Sequence, residues 1–110
     1  MPLYISRGNY SRDAINGMIA KADDRTEAVG KLLASVGGKL LGHYFTLGEY
    51  DFLVIAEAPS EKEMMAALLA VATTGSIANL NTTVAVPTAE MKSVFAKVGS
   101  VAGQFRPAGT

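Results

Sequence analysis

The alternation of apolar and polar residues divides the chain into strand-like and helix-like segments. Residues with a period of two, or rich in β-branched and aromatic types, predict four strands at Leu3–Arg7, Lys39–Leu47, Phe52–Ala58 and Ile77–Val86. Apolar residues at helical spacing predict helices between Ser11 and Val36 (two pieces or one bent helix), from Ser60 to Ala72, and after Thr88. The order is β-α-β-β-α-β with a C-terminal helix, which predicts an α+β, ferredoxin-like fold.

Turn and cap residues support these boundaries. We interpret Gly8-Asn9 as a turn that closes the first strand, Gly37-Gly38 as a helix stop, and residues 48–51 as a tight hairpin turn. Hydroxyl side chains that suit a helix N-cap precede three of the helical stripes, at Ser11, Ser60 and Thr88. These three helices are therefore expected to begin at a side chain that satisfies a free backbone N–H group.

The composition is that of one domain, and it argues against several classes of function. The 110 residues are 49% hydrophobic, and we assign residues 1–98 to the domain and 99–110 to a loosely ordered tail. Ten basic and ten acidic residues cancel, which argues against binding to nucleic-acid phosphates. Because there is no cysteine, disulfides, thiol catalysis and iron–sulfur clusters are excluded. We see neither a basic and apolar leader nor a membrane-spanning apolar run, so we expect a cytoplasmic protein.

The side chains of each predicted strand separate into two faces, and the helices can cover only one of them. If the hairpin turn is short, Phe45 lies opposite Val54. A nearly all-apolar set then faces the helices: Leu3, Ile5, Leu41, His43, Phe45, Leu47, Phe52, Val54, Ala56, Ala58, Leu80, Val84 and Val86. The open face carries the candidate ligand-binding residues, which are Tyr4, Ser6, Tyr44, Glu57, Asn79 and Asn81. With Leu53 and Ile55 at its centre, this face is too apolar for water and too polar for a dry core. It predicts a homodimer, or a higher homo-oligomer, with a polar-lined cavity between two sheets.

Several short motifs resemble the GYD-domain family. They are Pro2–Ser6, Gly8–Tyr10, Gly37–Leu40, Thr46–Phe52 and Glu57–Pro59. The name-giving residues are here Gly48, Tyr50 and Asp51, with Glu49 between them, and the resemblance covers residues 2–98. It implies a dimeric α+β barrel and no established activity. The hairpin also resembles the small-molecule-binding domain of leucine-responsive regulators, but no DNA-binding helices precede the first strand, so we do not expect a transcription factor.

Some candidate residues have two interpretations. The spacing of Gly48–Asp51 is that of a turn, and we favour this interpretation over one in which Glu49 or Tyr50 lines the mouth of the barrel. His43 is the only histidine and suits a general base or a haem ligand, but its apolar neighbours favour a hydrogen-bonded core or edge residue. Partial burial would raise the pKa of Glu57 toward use as an acid or base, but we favour a solvated carboxylate at a strand end, or one paired with Arg7 or Lys39. We find no metal, phosphate-loop or cofactor motif and predict no cofactor.

Three hypotheses for function follow. The first is a homodimer that binds a small molecule in a cavity on the open face of the sheet. The second is a cofactor-independent enzyme of the monooxygenase or isomerase kind, with Glu57, Tyr44 or His43 as its acid or base. The third is an assembly module whose sheet-to-sheet contact is the whole function. None of them predicts a nucleic-acid or membrane partner.

Overall fold

The computed structural model describes residues 1–110 and contains one four-stranded sheet. The elements, in chain order, are β1 Leu3–Tyr10, α1 Arg12–Ala20, α2 Thr26–Ser35, β2 Lys39–Phe45, β3 Phe52–Glu57, α3 Glu61–Ala72, β4 Ile77–Ala85 and α4 Met91–Val101, with 3₁₀ turns at Thr88–Glu90 and Ala102–Gln104. The strand order is β2-β3-β1-β4, and every neighbouring pair is antiparallel. The predicted α+β class and ferredoxin-like topology are confirmed.

The helix boundaries follow from local capping. Ser11 Oγ accepts a hydrogen bond from Ala14 N at 3.1 Å, and Ser60 Oγ accepts one from Glu63 N at 3.4 Å. Gly37 has φ +79°, the left-handed backbone that ends α2. The expected cap at Thr88 is wrong: Thr88 begins the 3₁₀ turn, and α4 starts three residues later without a side-chain cap. The structure has two separate helices between Ser11 and Val36, which was one of the two arrangements predicted there.

The first strand does not end at Gly8-Asn9, because β1 continues through both residues to Tyr10. Gly8 is buried, and a Cβ atom there would lie 2.8 Å from the ring of Phe52 and 3.2 Å from the carbonyl oxygen of Ala78. The pairing of β1 with β4 shifts register between Arg7 and Asn9. Glycine here permits close approach of neighbouring strands, and the turn interpretation is wrong.

The predicted face of β1 is reversed. Tyr4 and Ser6 are 2% and 3% exposed and lie opposite the buried residues Ala56 and Val54 of β3. Both therefore face the helices, while Leu3 and Ile5 belong to the open face. The apolar character of Leu3 and Ile5 misled the prediction, since the large ring of Tyr4 fills the core instead.

In the central hairpin, the residues of β3 that were predicted to face the helices do so, but the turn differs from the predicted one. Phe52, Val54, Ala56 and Ala58 are buried as predicted. Phe45 lies opposite Phe52 rather than Val54, so β2 ends two residues earlier than expected and Leu47 is fully exposed in the turn. The register shifts again between Leu40 and Gly42. Consequently Leu40, not Leu41, packs against the core.

The last strand keeps most of its predicted faces. Leu80 packs against the core, while Asn81 and Thr83 lie opposite Arg7 and Ile5 on the open face. Val84 pairs with Tyr4 on the helix side, as predicted. Val86 follows the strand and is 53% exposed, so its inward placement is wrong.

The C-terminal helix α4 stands away from the sheet. Its substantial contacts are with the two 3₁₀ turns that flank it, and every residue after Met91 is exposed. The helix ends at Val101, beyond the predicted domain boundary at 98. No helix is both long and apolar enough to cross a bilayer.

Candidate functional site

A cavity of about 500 Å³ lies between the helices and the covered face of the sheet. The sheet contributes Ser6, Tyr10, His43, Phe52, Val54, Ile77 and Leu80; α1 contributes Ala14, Gly17 and Met18; α2 contributes Ala28, Val29, Leu32 and Leu33; α3 contributes Met64, Ala67, Leu68 and Val71. Fifteen of its 23 lining residues are hydrophobic, and the volume falls in the range of small-molecule pockets. The cavity is therefore apolar along its walls, and its few polar groups would decide the orientation of a ligand.

The cavity exists because α1 does not pack tightly on the sheet. No residue of α1 is buried, and α1 makes at most isolated contacts with other elements. Several cavity-facing positions carry small side chains, namely Ala14, Gly17, Ala28 and Ala67. Protein interiors are normally filled to the density of organic crystals, so a space of this size under a helix marks a departure from core packing.

Ser6 places a hydroxyl on the floor of the cavity. Ser6 Oγ and Thr82 Oγ1 are 2.7 Å apart and share a hydrogen bond between β1 and β4. Ser6 is almost completely buried, so this bond satisfies a hydroxyl that would otherwise be costly to bury. A ligand can still use the second lone pair of the oxygen.

His43 also lines the cavity, from β2. Its Nδ1 lies 3.4 Å from Thr26 Oγ1 at the start of α2. Burial lowers the pKa of His43 below its ordinary value of 6.5, and the cation of Arg25 acts in the same direction, while Asp24 opposes them. The ring is therefore neutral at pH 7, with one nitrogen that donates and one that accepts.

Charged residues surround the edge of the cavity between α1 and α2. Lys21, Asp23 and Arg25 line it and are all exposed. Arg25 Nη1 pairs with Asp23 Oδ2 at 3.2 Å, whereas Lys21 forms no ion pair. Asp24 lies in the same connection and accepts a hydrogen bond from Thr26 N, so the connection carries two cations and two carboxylates. Nowhere do three His, Asp or Glu side chains come together as a metal site requires.

Tyr10 forms one wall and connects the cavity to the β2–β3 turn. Its ring centroid lies 5.3 Å from that of Phe45 and 5.1 Å from that of Phe52. The carboxylate of Asp51 accepts a hydrogen bond from the backbone N–H of Tyr10 at 2.9 Å. The turn thus acts structurally, as the favoured interpretation of Gly48–Asp51 had it, although Asp51 bonds to β1 rather than to its own turn.

The structure divides the predicted site residues between the two faces of the sheet. Ser6 lies in the cavity, and Tyr4 is buried beside it without lining it. Tyr44, Glu57 and Asn81 lie on the open face, where they pair with Leu53, Leu3 and Arg7. Tyr44 and Asn81 belong to opposite edge strands, about 14 Å apart at the spacing of neighbouring strands, so one chain does not bring them together.

The remaining predicted residues lie near the β2–β3 turn. Asn79 adopts φ +53° and donates from Nδ2 to Asn9 Oδ1 at 3.2 Å. The backbone oxygens of Glu49 and Tyr50 accept bonds from Asn9 Nδ2 and Thr46 Oγ1. None of Asn79, Glu49 or Tyr50 lines the cavity.

Buried Tyr4 has an unsatisfied hydroxyl. Its oxygen has no hydrogen-bond partner although the residue is 2% exposed. Burial, and to a smaller extent the carboxylate of Glu61, raise the pKa of Tyr4. Burial of this hydroxyl without a partner lowers the stability of the folded chain.

Sequence reasoning missed most of the cavity. Ser6 and His43 are candidates from the sequence, but no residue of α1, α2 or α3 that lines the cavity was predicted as a site residue. The small residues Ala14 and Gly17 on α1 are a signal in the sequence, because larger side chains there would fill the space. The charged segment Asp23–Arg25 between α1 and α2 lies at the edge of the cavity.

Comparison with known proteins supports the fold. An FFRP protein of known crystal structure is 18% identical, with a TM-score of 0.54 over 78% of this chain and 100% of the other. A protein from Thermus thermophilus is 13% identical, with a TM-score of 0.52 over 80% and 96% of the two chains. A hypothetical protein from Pyrococcus horikoshii is 16% identical, with a TM-score of 0.51 over 79% and 92%. These similarities establish the fold alone.

Comparison by sequence gives the family. No curated protein matches the chain. The family model of the GYD domain matches residues 4–95, a span that includes nearly the whole sheet and the β2–β3 turn. The resemblance of the short motifs is confirmed: the chain belongs to the GYD domain family.

Proposed function

We propose that the protein binds a small, mainly apolar molecule with one polar end in the cavity between its helices and its sheet. The observation that carries this proposal is the size and apolar lining of the cavity beneath α1. An unfilled apolar space costs van der Waals contacts, so a ligand that fills it stabilises the folded chain. This location replaces the open face as the proposed ligand site.

The polar groups of the cavity restrict the orientation of the ligand. Ser6 at the floor accepts a hydrogen bond, and neutral His43 offers both a donor and an acceptor. Of the residues considered for acid or base catalysis, only His43 lines the cavity, whereas Glu57 and Tyr44 lie across the sheet. Any enzymatic version of the proposal therefore depends on His43.

A matched pair of variants on α1 tests the ligand site. Ala14 lines the cavity, whereas Ala20 is exposed on the same helix and does not. We expect Ala14→Phe to weaken binding of the fluorescent probe anilinonaphthalene sulfonate by about tenfold or more, which corresponds to about 1.4 kcal/mol. Ala20→Phe should leave binding unchanged. Equal binding by both variants would contradict a site in this cavity, and circular dichroism checks that both are folded.

We also propose that two copies associate through the open face of the sheet. Leu3, Ile5, Leu53 and Ile55 occupy adjacent positions on β1 and β3, and none of the helices covers them. Ile5 lies directly opposite Ile55, so the centre of the face is a contiguous apolar patch. A patch of this kind on a sheet is a common site of association between proteins. The polar residues Tyr44, Glu57 and Asn81 then surround the contact.

Native mass spectrometry tests the dimer. We expect the wild-type chain to be dimeric and Ile55→Lys to be monomeric, because the variant places an unpaired charge at the centre of the contact. Ile19→Lys introduces the same charge on α1, where Ile19 is 76% exposed, and should remain dimeric. A monomeric wild-type chain, or a dimeric Ile55→Lys variant, would overturn the proposed contact.

A further inference from the structure

The helix α4 has an apolar face without a partner in its own chain. Val94, Phe95, Val98 and Val101 repeat at helical spacing and are 44%, 65%, 51% and 51% exposed. The radius of gyration is 18.0 Å, whereas a domain of this length is expected to have about 13 Å. An amphipathic helix held out in this way leaves apolar surface in water that a packing partner would remove.

The outer side of α3 lacks a partner as well. The inner residues Met64 and Ala67 are buried, yet Met65 and Leu69 on the outer side are 57% and 63% exposed. From Met64 to Ala72 the helix contains no polar residue. A helix that is apolar all round is expected to be buried on every side. The outer side of α3 is therefore a second uncovered apolar surface.

Charge distinguishes the two surfaces. Residues 91–110 contain three cations (Lys92, Lys97 and Arg106) and no carboxylate, whereas residues 1–90 contain seven cations and ten carboxylates. The segment with α4 is thus net +3 and the remainder net −3. The first turn of α3 carries Glu61, Lys62 and Glu63, so it has a net charge of −1 beside the apolar outer side. The basic helix and the acidic end of α3 attract each other.

We propose that α4 of one copy packs on the outer side of α3 in a second copy. The two helices have eleven and twelve residues, so at the rise of an α-helix both are about 17 Å long and can cover each other along their whole length. When each copy packs its α4 on α3 of the other copy, this helix-to-helix contact adds to the contact between the open sheet faces. The inference rests on the self-association proposed above, but not on the ligand.

The cysteine-free chain allows a direct cross-linking test with full-length protein. One preparation carries Met65→Cys and a second carries Phe95→Cys; they are mixed, allowed to exchange subunits, and treated with a short bismaleimide. We expect a covalent heterodimer whose yield exceeds that of the control mixture of Ile19→Cys with Phe95→Cys by about tenfold or more, because paired cysteines experience an effective concentration near the millimolar range. Ile19 is at least as exposed as Phe95, so accessibility does not favour the test pair.

A chain that carries both substitutions separates the competing arrangements. A cross-link within one chain would show that α4 folds back on its own α3, and it would overturn the inference. No enhanced cross-link in a mixture that native mass spectrometry shows to be dimeric would overturn it too, while leaving the open-face dimer intact. A monomeric wild-type chain would overturn both the inference and that dimer.

Discussion

The carboxylate of Asp51 and the backbone N–H of Tyr10 are joined by a 2.9 Å hydrogen bond across 41 positions of the sequence. Two further bonds strengthen the connection: Asp51 N donates to Gly8 O at 2.8 Å, and Asn9 Nδ2 donates to Glu49 O at 3.0 Å. The turn from which the family takes its name therefore attaches the β2–β3 hairpin to the end of β1. It also fixes the position of Tyr10, one wall of the cavity.

Asp51→Ala removes the acceptor for the Tyr10 N–H group. We expect the free energy of unfolding to fall by about 1.5–3 kcal/mol, the range for hydrogen bonds to charged groups. Glu49→Ala in the same turn is the control, because the carbonyl of Glu49 makes the bond and its exposed side chain makes none. Urea titration followed by circular dichroism measures both. Equal stability of the two variants would show that the bond is unimportant.

Gly8→Ala tests the close approach of β1 to its neighbours. A methyl group would come within 2.8 Å of the Phe52 ring and 3.2 Å of Ala78 O, and we expect a loss of about 1–3 kcal/mol from overpacking. Gly30→Ala is the opposite case, because a methyl group added there in α2 would meet nothing within 4 Å and alanine is the better helix former. Thermal unfolding should move in opposite directions for the two variants; a rise for Gly8→Ala would contradict the tight contact.

Tyr4→Phe removes a buried hydroxyl that has no partner. Because the folded state no longer has to desolvate this group, we expect the free energy of unfolding to stay equal or rise by about 1 kcal/mol. Chemical denaturation provides the measurement, with Tyr50→Phe as a control in the turn region. A loss of stability would mean that the Tyr4 hydroxyl is satisfied in solution.

His43 makes stability depend on pH between neutral and mildly acidic conditions. Its pKa in the folded chain lies below 6.5, so the unfolded chain binds more protons in this window. The contribution of His43 is complete above pH 6.5 and is lost as the pH falls through 6.5 toward the folded-state pKa. We expect His43→Gln to show a smaller drop in unfolding free energy between about pH 7.5 and pH 5 than the wild-type chain.

The pKa of Asp24 does not disturb this comparison. Its hydrogen bonds with Thr26 lower its pKa below the ordinary value of 3.8, so the linked change in stability lies below the range measured. Urea unfolding at the two pH values, for wild type and His43→Gln, gives the result. An identical pH dependence would show that His43 titrates alike in both states.

Local signals in the sequence predicted the helices well. Ser11, Ser60 and Gly37 cap the helices in the structure because capping depends only on neighbouring residues. The register of the strands, which depends on residues far apart in the sequence, was harder to predict. The face of β1 depended on whether Tyr4 or Leu3 pointed to the core, and each is apolar enough for either side. The shift at Leu40–Gly42 leaves no trace in the alternation pattern.

The cavity was beyond sequence reasoning for a different reason. It results from the absence of packing between α1 and the sheet, and apolar stripes such as Ile15 and Met18 predict packing wherever they occur. His43 was placed on the correct face, but its neighbours suggested a filled core. Only the tertiary arrangement shows that the space beside it is open.

Irregular pairing next to both outer strands has a consequence for aggregation. The register shift at Leu40–Gly42 lies in β2, and Asn79 with its φ of +53° lies in β4 where its pairing with β1 shifts register. A regular outer strand is a template on which further chains can add strand by strand into fibrils. Irregular backbone within β2 and β4 makes both outer strands poorer templates for such growth.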